Sequence, residues 1–177
     1  MTEEKVLTGY PSIDKPWLKH YSEYELNMDI PICSLYDYLY SNNKDNLSGY
    51  AINYFGTKIT YGELFKNIDA VAKAFKAQGV LAGDVCTIVS VSCVTEVICF
   101  YALNRIGAIP NCVNVLASED ELAQYFKDAD SKIVVTLDLF GNKVLGAANK
   151  SNVEKIINVS KPSGNNFYEG EVDYKVG

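Results

Sequence analysis

Three consecutive carboxylates (Glu119, Asp120 and Glu121), five cysteines and a single histidine are the side chains of this 177-residue chain whose types could carry acid–base, nucleophilic or metal chemistry. Adjacent acids can share a proton or hold a cation. Here, however, Ser118 stands three residues before Glu121, the pattern that opens a helix, and the positive end of the helix dipole accounts for acids in that first turn. Cys33, Cys86, Cys93, Cys99 and Cys112 form no C-x-x-C pair, and four of them lie in apolar stretches, where a thiol acts as a small hydrophobe in a reducing compartment. Zinc wants closely spaced Cys or His ligands, and His20 stands alone in a Pro- and Tyr-rich stretch. A Ser/His/Asp relay fails for the same reason. Asp84, after Gly83, reads as a turn residue, and Asn104 and Arg105 close a helix, where a cation is favoured. The expectation is a chain with no catalytic, cofactor-binding or metal-ligating residue of its own.

The phosphate-binding signatures are also missing. There is no G-x-G-x-x-G, no G-x-x-x-x-G-K-[ST] and no G-x-S-x-G. A net charge of -6 with no Lys/Arg stripe argues against nucleic acid. The first residues lack an apolar signal region, and the apolar run 85–103 contains Glu96 and breaks from strand to helix, so a membrane span is not expected. Cytoplasmic placement follows from these together.

Periodicity supplies the scaffold. Residues 1–30 read as an extended arm punctuated by Pro11 and Pro16, with Tyr10, Trp17, Tyr21 and Tyr24 as packing faces. A short helix is expected over 31–42 and a polar loop over 41–49. Strands at 51–55 and 58–60 meet at Gly56, and a helix follows over 61–78. A Thr60/Glu63 capping box opens it, Leu64, Ile68, Val71, Ala72 and Phe75 form its inner face, and Gly79 stops it. Buried-type strands are expected at 85–91, 109–115, 132–137 and 154–159. The helices between them cover 96–106 with Thr95 as cap, 118–128 with Leu122, Tyr125 and Phe126 inward, and 138–149 with Asp138 as cap. Strands alternating with helices through short connections predict an α/β fold, a mainly parallel sheet flanked by helices on both faces. The expected division is an arm with a short helix (1–48), an α/β subdomain (49–160) and a linker (161–177).

Four stretches, in order, resemble the start of AMP-forming acyl-CoA synthetases, the adenylate-forming superfamily. Ile59-Thr60-Tyr61-Gly62-Glu63-Leu64 is similar to its early "(L/I)-(T/S)-Y-x-E-L" motif. Gly79-Val80 through Gly83-Asp84-Val85 is similar to "G-V-x-x-G-D-x-V". Tyr101-Ala102 through Gly107-Ala108 is similar to "x-A-x-x-x-x-G-A", and Ser118–Leu122 leads into the next strand in the same way. Asp14-Lys15-Pro16-Trp17-Leu18 resembles the arm of bacterial fatty-acyl members. Thr95-Glu96 stands where the family often has Pro-Glu, and Val115-Leu116 where it often has a proline. Lys161-Pro162-Ser163-Gly164 carries letters of the family's phosphate loop in another order, and is not taken as that loop.

The resemblance implies a ligase that joins a carboxylic acid, a fatty acid by the arm, to AMP using ATP and magnesium, then passes the acyl group to coenzyme A. This chain would be the inactive amino-terminal part of such an enzyme, and its uncovered surface would favour a dimer. Two other readings stand beside it. One is a stand-alone binding module that pairs with a partner chain. The other is the start of a peptide-synthetase-type adenylation domain.

Overall fold

The computed structural model describes residues 7–159, so the linker 161–177 lies outside the described residues. Contacts divide the chain into two units, Met1–Ile32 and Cys33–Gly177. The first is not extended throughout. It carries α1 (Pro11–Asp14), a 3₁₀ turn (Pro16–His20) and α2 (Glu23–Leu26). The causes are local. Proline opens the first two turns, where its missing N–H costs nothing. The Asp14 carboxylate accepts from the Thr8 amide, the Thr8 hydroxyl and the Gly9 amide at 2.8–2.9 Å. Ser22 and Glu25 form a capping box on α2. Tyr10, Trp17, Tyr21 and Tyr24, expected to pack, are exposed.

The second unit begins with α3 (Leu35–Asn43), capped by the Ser34 hydroxyl, which accepts from the Asp37 amide. Its Tyr36 is buried and meets Phe65 edge to face at 6.3 Å. That anchoring places α3 with the α/β unit rather than with the arm. Strands β1 (Tyr50–Tyr54) and β2 (Thr57–Thr60) pair antiparallel. Phe55 and Gly56 between them have φ of 48° and 87°, the geometry of a type I′ turn, in which Asn-Gly or Asp-Gly is the favoured pair.

Helix α4 (Tyr61–Ala77) has the expected Thr60/Glu63 capping box and buries Leu64, Phe65, Ile68, Ala72 and Phe75. Strands β3 (Val85–Ser90), β4 (Ile109–Asn114), β5 (Ile133–Leu137) and β6 (Lys155–Val159) form one parallel sheet in the order β4-β3-β5-β6. Between them lie α5 (Val94–Arg105), α6 (Glu119–Asp128) and α7 (Gly141–Ala148). Side chains alternate along the strands into two cores. Cys86, Ile88, Ile133, Val135 and Ile157 join residues of α4 and α5 in one. Val89, Val134 and Ile156 join those of α6 and α7 in the other. Both faces are therefore covered, which explains why β3 and β5 read as continuous apolar runs. Each such side chain, fully buried, stabilises the fold by about 1.5–3 kcal/mol.

Two polar groups bind β5 to β3. At the amino end the buried Ser131 hydroxyl accepts from the Thr87 amide at 3.1 Å and donates to the carbonyl of Ile133 (2.9 Å) or Val85 (3.1 Å). At the carboxyl end the buried Thr136 hydroxyl donates to the Val89 carbonyl at 2.9 Å. Gly107, with φ of 82°, reverses the chain between α5 and β4. Its carbonyl accepts from the Gly83 amide at 2.9 Å, and a Cβ there would lie 3.1 Å from that of Ala82. Only glycine adopts this conformation without strain.

Three local expectations need correction. Helix α5 starts two residues earlier than a Thr95 cap allows, and its cap is Cys93, which makes no side-chain cap bond. In α6 the inner face is Leu122, Ala123 and Phe126, while Tyr125 is 38% exposed, because the i, i+4 pair Leu122–Phe126 defines the buried stripe. The segment after β5 splits into a 3₁₀ turn (Asp138–Phe140) and α7. Asp138 accepts from the adjacent Leu139 amide at 2.8 Å instead of capping α7, and that helix opens at Gly141.

Candidate functional site

The chain leaves β3 through α5 to reach β4 on one side, then returns across β3 to place β5 on the other. The carboxyl ends of β3 and β5 thus form a switch point, the place where open parallel sheets hold ligands. A crevice opens there, lined by Ser90, Thr95, Glu96, Cys99, Thr136 and Leu137 among others. It encloses about 180 Å³ including space open to solvent, less than the pocket a drug-sized ligand or a nucleotide fills.

Its polar groups are mostly engaged. The Ser90 hydroxyl donates to the Val91 carbonyl at 3.0 Å, and Thr136 is tied to Val89 as above. Glu96 lies in the first turn of α5. Burial pushes its carboxyl above the ordinary glutamate range, opposed by a hydrogen bond from the Cys93 amide. Cys99 is pushed up to about 12, first by burial and then by the nearby Cys93 and Glu96. Cys86 is likewise held at about 12, by burial and then by Asp84. These two thiols stay protonated at neutral pH, which suits inert core residues rather than nucleophiles.

Around the crevice, each strand-to-helix turn offers an exposed aliphatic side chain. Val91 follows β3, Leu116 follows β4 and Leu139 follows β5, the last two 84% and 79% exposed. Together they give the carboxyl end of the sheet an apolar rim.

The acidic triplet lies outside the crevice lining and is structurally engaged. Ser118 binds Glu121 through its amide and hydroxyl, both at 2.7 Å, holding that carboxyl below the usual range. Lys150 on the far side of α7 pairs with Glu119 and Asp120, each at 2.7 Å. The Asp84 carboxylate accepts from the Leu81 amide at 2.8 Å, shaping the turn before β3. His20 is exposed in the first unit. All five cysteines are free. Among the described residues, no three His, Cys, Asp or Glu side chains come together to hold a metal.

One constellation was hidden from sequence reasoning. Arg105 donates to the Tyr36 hydroxyl at 2.7 Å and pairs with Asp69, while the Asn104 side chain accepts from the Tyr36 amide at 2.8 Å. It clasps α3, α4 and α5 together. Tyr36 and Arg105 are 69 residues apart, and no local pattern links them.

A doubly covered parallel sheet with a crevice and apolar rim at its switch point is the scaffold of an α/β ligand-handling domain. Comparison with known proteins narrows the class. Residues 42–174 match the family model described as AMP-binding enzyme, and the chain belongs to that family of adenylate-forming enzymes. The acetyl-coenzyme A synthetase of Penicillium chrysogenum is 40% identical over 93 residues, 51% of this chain and 14% of that protein. The long-chain-fatty-acid–CoA ligase of Bacillus subtilis is 26% identical over 144 residues, 81% of this chain and 26% of that one. The chain thus spans about a quarter or less of the length of these relatives. Among solved structures, a benzoate CoA ligase from Burkholderia xenovorans superposes with a TM-score of 0.65 at 19% identity, covering 74% of this chain and 26% of that one, a likeness of fold.

Proposed function

We propose that this chain is the amino-terminal α/β portion of a ligase that activates a carboxylic acid with ATP to an acyl-adenylate and passes the acyl group to coenzyme A. Activation is needed because a carboxylate is a poor electrophile, whereas an adenylate carries a good leaving group. The observation that carries the reading is the family match over residues 42–174. In it, residues 33–159 supply a sheet and, through the rim of Val91, Leu116 and Leu139, part of the wall beside the acyl or CoA channel. No step of the chemistry falls to the described residues. A fatty acid is the substrate we favour, because the similarity to the Bacillus subtilis long-chain-fatty-acid–CoA ligase runs over 81% of this chain. The free cysteines support a reducing, cytoplasmic setting, and the exposed rim supports self-association of the isolated chain.

The test is ATP–pyrophosphate exchange. The purified 177-residue chain should show none, and robust exchange by it would refute the assignment of chemistry to other residues. The whole enzyme should exchange with long-chain acids in preference to acetate; the reverse preference would overturn the fatty-acid reading while leaving the ligase reading intact. Light scattering on the isolated chain checks self-association, and a strict monomer at high concentration would remove it.

A further inference from the structure

We draw no further inference here: the strongest candidate outside the site already described, the 93% exposed Phe55 ring at the positive-φ tip of the β1–β2 hairpin, is a single apolar knob, and nothing in the structure shows what covers it.

Discussion

Helices α5 and α6 each follow a parallel strand and each carry glutamate at their third position, yet their first turns are built differently. At α6, Ser118 donates its amide and hydroxyl to Glu121 and accepts the Glu121 amide in return. Helix α4 repeats the device with Thr60 and Glu63. In both, the hydrogen bonds from the cap residue draw the glutamate below its ordinary range. At α5 the cap is Cys93, whose side chain makes no cap bond. Glu96 is left with the Cys93 amide alone, and burial wins, raising its pKa. A reciprocal cap satisfies a helix start within itself. The α5 start, bordering the crevice, has no such reciprocal cap, and it lies where the topology favours a ligand.

The comparison holds only if both helices are equally well anchored, and the largest expected effects test that. Ile98 on α5 and Leu122 on α6 are both fully buried. Ile98→Ala and Leu122→Ala should each destabilise the unit by about 2–5 kcal/mol, from lost transfer energy plus the cavity left behind. Urea unfolding with an unchanged m-value measures this. A much smaller cost at Ile98 would mean that α5 is loosely packed, and the contrast would then belong to the core rather than to the caps.

Next come the closed caps. Ser118→Ala, and equally Thr60→Ala, removes the hydroxyl that bonds to glutamate and to the third amide. Each should cost about 1 kcal/mol in the same urea experiment. No loss at either position would show that these boxes contribute nothing and that α5 lacks nothing by comparison. The converse change sharpens the point. Cys93→Ser should convert the α5 start into the α6 type, with a gain of about 0.5–1 kcal/mol and a downward shift of the Glu96 titration seen by NMR. Serine is smaller than cysteine, and the thiol lies 3.8 Å from the Ser90 hydroxyl, so crowding does not oppose it. An unchanged Glu96 titration would mean that burial alone, not the missing hydroxyl, sets the difference.

What the sequence disclosed follows the same division. Caps, turns and strand cores are written in short-range patterns, so Thr60/Glu63, Ser118/Glu121, Gly79, Gly107 and the four parallel strands could be read directly. The α5 boundary is not legible locally, because cysteine carries no capping signal and Thr95 offers one two residues on. In the arm, Pro11 and Pro16 fit breakers as readily as first-turn residues, so the sequence alone suggests an extended chain. The Tyr36–Asp69–Arg105 clasp and the roles of Ser131 and Thr136 depend on residues brought together by strand order, which no local spacing encodes. The crevice was legible only as a place, the carboxyl ends of the strands, since its composition depends on β5 lying beside β3. The family, by contrast, was legible, because its motifs are the caps and chain reversals themselves.

The smallest expected effect is the most diagnostic, because its sign differs between the two helix starts. Glu121 has a folded pKa below the ordinary 4.5. Its contribution is present above that value and is lost as pH falls through the folded pKa. Glu121→Gln should therefore weaken the unit at neutral pH and leave it little changed in acid. Glu96 has a folded pKa above 4.5. The folded state then binds the proton more tightly than the unfolded one, so stability is greatest below 4.5 and declines as pH rises through the folded value. Glu96→Gln removes that decline while keeping an oxygen for the Cys93 amide. The variant should gain on the parent as pH rises from the ordinary glutamate value toward neutral, by a small margin because Glu96 is partly open to solvent, which screens the effect. Urea midpoints for both pairs across that range decide the matter. Opposite slopes sustain the distinction between a closed and an open helix start. Parallel slopes would mean that Glu96 titrates like its counterparts, and that the crevice end of the sheet is no different in kind from the rest.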